Sequence, residues 1–444
     1  MKTIHLVKVA GTEARNLGTL SIALFFLPLV ILCFHSCTSG TESEEGIIIN
    51  IEEGLSNVRL ANLSEFADSV LYIPLETKPG MELDYIFRYS SKDTLVFAND
   101  GITCILFSST GNILQKIGSK GRGPGEYNTP GHLGITSSNT LLVQNLFKLM
   151  EFDYQGGLQQ NYIFFYDTIG STIPGSWILL NDSLLFLHVR NDTGDERHKA
   201  MIKNLNGRIV SRFPNHIFFK PQRIGSLSQS GISSLDSYSG KIGFKEAFND
   251  TLFYLGKDLI LNPGYVFNMG KYKTSYMDLL NRTAYEREYA YTQDVFETDR
   301  FFFLTLRGLC NAFRRATPIV EVETGLGGQV IERESWYYKG ALLMVVDKTT
   351  GKSFLNDISR SEESIFKSGF INDFDGGPRF LPRFRLDENR LVMPVEAHEL
   401  KQYIKSDEFR EASVLHPEKK KALEELANSL SESDNPVLMV VRMK

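Results

Sequence analysis

The carboxylate cluster in this 444-residue chain that comes nearest to a cation loop is Asn372-Asp373-Phe374-Asp375-Gly376-Gly377, a segment that could offer oxygens to a hard cation. A calcium loop of the EF-hand kind needs acidic or amide residues at alternate positions, a glycine, and a glutamate at the twelfth position. Only fragments of that set are present. Two aspartates two residues apart on a turn more often cap and bend the backbone. Asp373 and Asp375 therefore read as turn residues first and as Ca²⁺ ligands second. Asp347, Asp357 and Glu396 could add ligands only if the fold brings them together.

The other chemistry-bearing residues are dispersed. The histidines beyond residue 36 are His132, His188, His198, His216, His398 and His416, and none pair at i, i+2 or i, i+4. No metal or general-base motif stands out among them. His132 is of interest because it follows a glycine loop, Gly118-Ser-Lys-Gly-Arg-Gly-Pro-Gly-Glu-Tyr127, at the start of an expected inner strand. That loop is not a phosphate loop: no Lys-Ser/Thr follows its last glycine, and Pro124 leads toward strand rather than helix. The segment from Arg379 to Arg385 interleaves bases and aromatics, and strand alternation places Arg383 and Arg385 opposite Phe384. A solvated face is the plain account. A sharper one is a ligand-binding mouth lined by Arg122, His132, Arg383 and Arg385. No Gly-x-Ser-x-Gly elbow is present, which disfavours an α/β-hydrolase.

The elements that must position these residues are strands. From about residue 69, short apolar runs alternate with glycine or Asn/Asp turns, as in an all-β chain. Turn glycines at 111, 157, 207, 256 and 351 are separated by 46, 50, 49 and 95 residues, the last gap holding a helical insert. A period of about 40–50 residues with several strands per unit is that of propeller blades. Six blades are expected at roughly 84–117, 130–165, 175–213, 230–268, 292–358 and 368–396. Residues 70–75 and 436–441 read as unpartnered terminal strands that complete one sheet and close the ring. Helical pattern is expected at 271–291 and 396–431, as decoration on one rim of a single domain spanning 58–444.

The N-terminus gives an address. Lys2, Lys8 and Arg15 precede an apolar run at 20–34, then Ser36 and Cys37. That order is the pattern of a lipoprotein signal peptide over residues 1–36. The run is short for a bilayer span and holds Pro28. Cys37 is the expected lipid acceptor, because Ser36 before it is small whereas Leu32 before Cys33 is bulky. Residues 37–57 read as a flexible acidic tether. Losing residues 1–36, which carry three bases and one acid, moves the net charge from −5 to about −7. Such a balance argues against a nucleic-acid partner. Of the later cysteines, Cys104 lies in an apolar run and reads as a buried thiol, although a bridge to Cys310 is open.

Ile117 to Pro130, followed by Leu133-Gly-Ile135, resembles the NHL-repeat signature Gly-x-Gly-x-Gly-Glu-Phe/Tyr-x-x-Pro. With Tyr72-Ile-Pro-Leu-Glu76, Asn372 to Pro378 and the stretch from Asn435 to Lys444, the chain looks like the six-bladed β-propeller lipoproteins of Bacteroidetes, NHL-like or TolB-like in blade type. The resemblance implies a propeller of four-stranded antiparallel blades, in or on the outer membrane. The acidic stretch after Cys37 looks like the export signal that takes such lipoproteins to the outer face. The resemblance transfers no catalytic residue. The expected role is a ligand-binding or protein-interaction module with no obligate cofactor and a glycan, peptide or envelope protein as partner. The rival is a Ca²⁺-dependent propeller hydrolase or lyase with an axial site, as in the calcium-dependent lactonase group.

Overall fold

The computed structural model describes residues 46–163, 175–191, 193–220, 233–280, 288–309, 314–324, 330–337, 341–356 and 368–444. Cys33, Cys37, Cys310 and Asp357 lie outside the described residues, and with them the signal and lipidation expectations. Six antiparallel sheets make six blades. Their first strands are Arg88–Lys92, Pro130–Ile135, Trp177–Asn181, Ser233–Tyr238, Tyr289–Glu297 and Phe384–Arg385. In blades 1 to 5 the second, third and fourth strands follow in chain order, and in blade 6 the fourth strand comes from the start of the chain. One such sheet cannot cover both its faces, and packing against its neighbours supplies the cover. Between blades 1 and 2 the buried contacts are Phe97, Leu106, Tyr127, Leu133, Val143 and Phe152.

The glycine loop serves that packing. Gly118 and Gly125 hold φ of +62° and +77°, a region that side chains disfavour. They bring Tyr127 back into the core, where its hydroxyl donates to the Ile117 carbonyl at 2.9 Å and accepts the Cys104 N–H at 3.1 Å. Cys104 is a free, fully buried thiol, and burial pushes it up to about 12.

Ring closure occurs in blade 6. The strand Val437–Met443 pairs on one side with Arg390–Val395 and on the other with β3 (Ala67–Pro74), Val70 facing Val441. All but Arg442 of Val437–Met443 is buried.

Two expectations need correction. The tether expected over 37–57 folds from its tenth residue onward. β1 (Ile47–Asn50) pairs in parallel with the outer strand of blade 4, and α1 (Ile51–Ser56) crosses to blade 5. There β2 (Val58–Arg59) pairs with the outer strand Ser353–Asn356. Ile49, Ile51 and Leu55 are buried, so an apolar run preceded by polar residues became a strap across blades 4 and 5. The expected helix at 271–291 also ends early: among the described residues it holds a 3₁₀ turn at Gly270–Tyr272 and a short helix at Tyr276–Leu280, residues 281–287 lie outside them, and from Tyr289 the chain is strand. The extra length of this repeat also contains a hairpin, Arg314–Thr324 with Val330–Tyr337. Helices do form at Ala397–Tyr403, Asp407–Glu411 and Pro417–Ser429, between the second and third strands of blade 6. Leu400, Phe409 and Leu423 anchor them in the core of that blade.

Candidate functional site

The first strands of all six blades surround a central cavity of about 710 Å³. Each first strand is the inner edge of its blade, so consecutive residues along it, such as Arg88 to Lys92 and Ser233 to Ser237, border the cavity. Near the strand starts the wall holds Arg88, His132, Ser176, Trp177, Ser233 and Asp294, drawn from five blades. The lining mixes flat aromatic faces with hydrogen-bonding groups, the usual make-up of a small-molecule site.

Two polar systems organise this end. In the first, His132 Nε2 lies 3.1 Å from the Gly175 carbonyl. Burial, and then the charge of Arg88, pull its pKa down to about 3 against the pull of that carbonyl. The imidazole is therefore neutral, and its Nε2–H donates to Gly175. Arg88 stacks its guanidinium on Phe87 at 4.0 Å. In the second, Ser176 Oγ is 2.6 Å from Ser233 Oγ, which is 2.9 Å from His188 Nδ1. His188 is almost fully buried, and its Nε2 faces Glu246 Oε1 at 3.7 Å. Burial raises the Glu246 carboxyl, but the His188 contact together with Lys199 and Asn249 outweighs it and holds the group below the usual range. A hydroxyl, an imidazole and a carboxylate thus stand in series, with the hydroxyl on the cavity wall.

The opposite end is clamped. Arg385 donates from Nε and Nη2 to the two oxygens of Asp236, both at 2.6 Å, and from Nη2 to the Glu297 carbonyl at 2.6 Å. Its Nη1 donates to the Glu388 carbonyl at 2.9 Å. These bonds tie blade 6 to blades 4 and 5. Both side chains are nearly buried, and removing one partner of such a pair costs about 3–5 kcal/mol.

The sequence-derived residues fare unevenly. His132 and Arg383 line the cavity, Arg383 exposed within it. Arg385 lines it too, yet its donors are spent on the clamp, so it is a poor ligand anchor. Arg122 is exposed on the glycine loop and is not part of the cavity wall. Asp373 and Asp375 are engaged by protein donors, as turn residues would be. Asp373 accepts the Ser64 N–H at 3.0 Å and the Ser64 hydroxyl at 2.5 Å. Asp375 accepts Tyr72 Oη, Asn372 Nδ2 and the Gly377 N–H at 2.7–3.0 Å, and its burial raises the carboxyl despite those bonds. They pin the connection to β3 and to the residues before it. Asp347 pairs with Arg300 and caps its own turn. Glu396 sits apart, where burial, Glu399 and Asp84 raise it to about 8. Among the described residues, no three His, Cys, Asp or Glu side chains gather as a metal site.

Sequence reading missed Arg88, Ser176, Ser233, His188 and Glu246. Their one signal is position, at the start of an inner strand or on the strand behind it, which becomes visible only once blade boundaries are known.

A family model described as a domain of unknown function, DUF4934, matches residues 46–442, the described propeller almost end to end. The chain belongs to the DUF4934 family. No curated protein matches it in sequence. Among solved structures it is similar to a Bacteroides fragilis protein described as exported, with a TM-score of 0.60 at 16% identity over 89% of this chain and 99% of that one. It is also similar to a member of the DUF4221 family from Bacteroides vulgatus, with a TM-score of 0.47 at 13% identity over 85% and 97% of the two chains. For this DUF4934 protein, likeness at such identities establishes the fold alone.

Proposed function

We propose that this protein is a lipid-anchored propeller of the cell envelope that binds a small polar ligand in its central cavity. The observation that carries the reading is the cavity itself, open to about 710 Å³ and walled by aromatic and hydrogen-bonding side chains. A ring serving only as scaffold would gain by filling that volume with apolar side chains, since interiors otherwise pack densely. The envelope address rests on the signal pattern at residues 1–36 and on Cys37 as the lipidated residue, with attachment to the outer membrane. The ligand classes that suit the wall are a glycan or a peptide, with nucleic acid disfavoured by the negative net charge.

Trp177 lies in the wall, its indole N–H donating to Gln144 at 2.9 Å, so its fluorescence reports occupancy. Titrating panels of oligosaccharides and short peptides into the mature protein should give saturable quenching that Ser176→Trp, by filling the mouth, abolishes. Quenching that survives Ser176→Trp would place binding elsewhere and overturn the reading. The address is tested by fatty-acid labelling, which Cys37→Ala should eliminate and Cys33→Ala should not.

The series Ser233–His188–Glu246 favours a second reading, serine-type hydrolysis. Ser233 Oγ would bond to an acyl carbon while its proton passes to His188 Nδ1 and then to the leaving group; water would reverse the sequence. Labelling by a fluorophosphonate that is lost in Ser233→Ala would support it, and absence of labelling would remove it.

A further inference from the structure

We infer that Arg88 is the anchor for a carboxylate group on the cavity's ligand, an assignment that rests on the cavity being a binding site. Arg88 opens the first strand of blade 1 and lies on the cavity wall. Among the described residues its guanidinium makes one hydrogen bond, from Nη1 to the Phe87 carbonyl at 3.2 Å. Its Nε is buried with no partner. The nearest opposite charge does not satisfy it: Asp294 takes its side-chain bonds from Thr305 Oγ1 at 3.0 Å and Gln293 Nε2 at 2.9 Å. His132 beside it is neutral and adds no charge. Arg88 is half-buried, and a guanidinium whose Nε is shut off from water without a partner, with most of its other donors unspent, is costly; native proteins seldom keep one without a partner that comes and goes.

The shape of the guanidinium selects the partner's chemistry. A guanidinium edge presents two parallel N–H donors that match the two oxygens of a carboxylate. Asp294, close enough to be felt by Arg88, penalises a dianion such as phosphate more than a singly charged carboxylate. A neutral ligand would leave the half-buried charge without a counter-charge. Tyr85, Phe87 and Trp177 supply flat faces beside it, and the hydroxyls of Ser176 and Ser233 supply further bonds. A carboxylate of this kind is carried by a uronic acid or by the C-terminus of a peptide.

The test uses the mature protein and Trp177 fluorescence with four probes: D-glucuronate, D-glucose, an N-acetylated dipeptide, and the same dipeptide amidated at its C-terminus. Binding of an acid about tenfold or more tighter than its neutral counterpart, with that preference lost in Arg88→Gln and reduced in Arg88→Lys, is the expected result. Which acid prevails identifies the source. Thermal melts establish that each variant is folded, and Arg122→Gln, on the exposed loop, should bind as the parent does. Acid and neutral probes binding alike, no quenching by either acid, or a preference that survives Arg88→Gln would each overturn the carboxylate assignment. Glucose or amide quenching as strong as that by the acids in the parent, and unchanged in Arg88→Gln, would do so while leaving the cavity reading intact.

Discussion

His132 shows how the cavity wall couples chemistry to stability. Its imidazole titrates near 6.5 in an unfolded chain but only at about 3 in the folded one, because burial and then Arg88 oppose the charged form. Between those values the unfolded state binds a proton that the folded state refuses, so stability falls as pH drops from about 6.5 toward 3. His132→Gln keeps a donor for the Gly175 carbonyl and cannot titrate. Its urea midpoint should therefore fall less between pH 7 and pH 4 than the parent's, and an equal fall would contradict the assignment. The glycine loop makes a second case. Gly125 holds φ of +77°, whereas Gly123 has ordinary φ and a Cβ there would meet only the flexible end of Glu126, at 3.1 Å. Gly125→Val should cost about 1–3 kcal/mol through backbone strain, and Gly123→Ala less than about 1 kcal/mol. Chemical denaturation separates the two, and equal losses would show that strain is not the cause. Sequence alone marked this loop as structural but could not tell which glycine carries the constraint.

At the scale of elements, the strap formed by β1, α1 and β2 covers the outer edges of blades 4 and 5, edges that would otherwise offer unpaired backbone groups. It also buries Ile49, Ile51 and Leu55, each worth up to about 1.5–3 kcal/mol. A mature chain lacking residues 46–59 should melt at lower temperature and aggregate; an unchanged melting temperature would show the strap to be dispensable. Its partners lie some 200–300 residues away in the chain, as Ile47 pairs with Tyr265 and Val58 with Leu355. No local turn announces such pairing, so polar flanking residues won the sequence reading. Blades 1 to 4 were legible because most of their strands pair through short turns. The end of the insert expected at 271–291, which is strand from Tyr289, was misread because its aromatic residues suit a helix face and a strand equally well.

The whole molecule is a ring whose closure joins its two ends. Val437–Met443 lies between Arg390–Val395 and β3, so a single sheet contains both early and late sequence. Removing residues 436–444 should open blade 6, expose an edge and leave a protein that aggregates or is rapidly cut by protease. A truncated monomer as protease-resistant as the parent would contradict closure by this strand. Closure was readable from two orphan apolar runs at the chain's ends. The cavity was only partly readable: Arg383 and His132 were found from local pattern, while Arg88 and the Ser233–His188–Glu246 series depend on strands from different blades meeting at one axis. The central claim is that this axis holds the ligand. Its most direct test is a crystal structure of the mature protein soaked with whichever acid, D-glucuronate or the free dipeptide, quenches Trp177. The account predicts ligand density inside the ring with its carboxylate against Arg88, and density confined to the outer surface would contradict it.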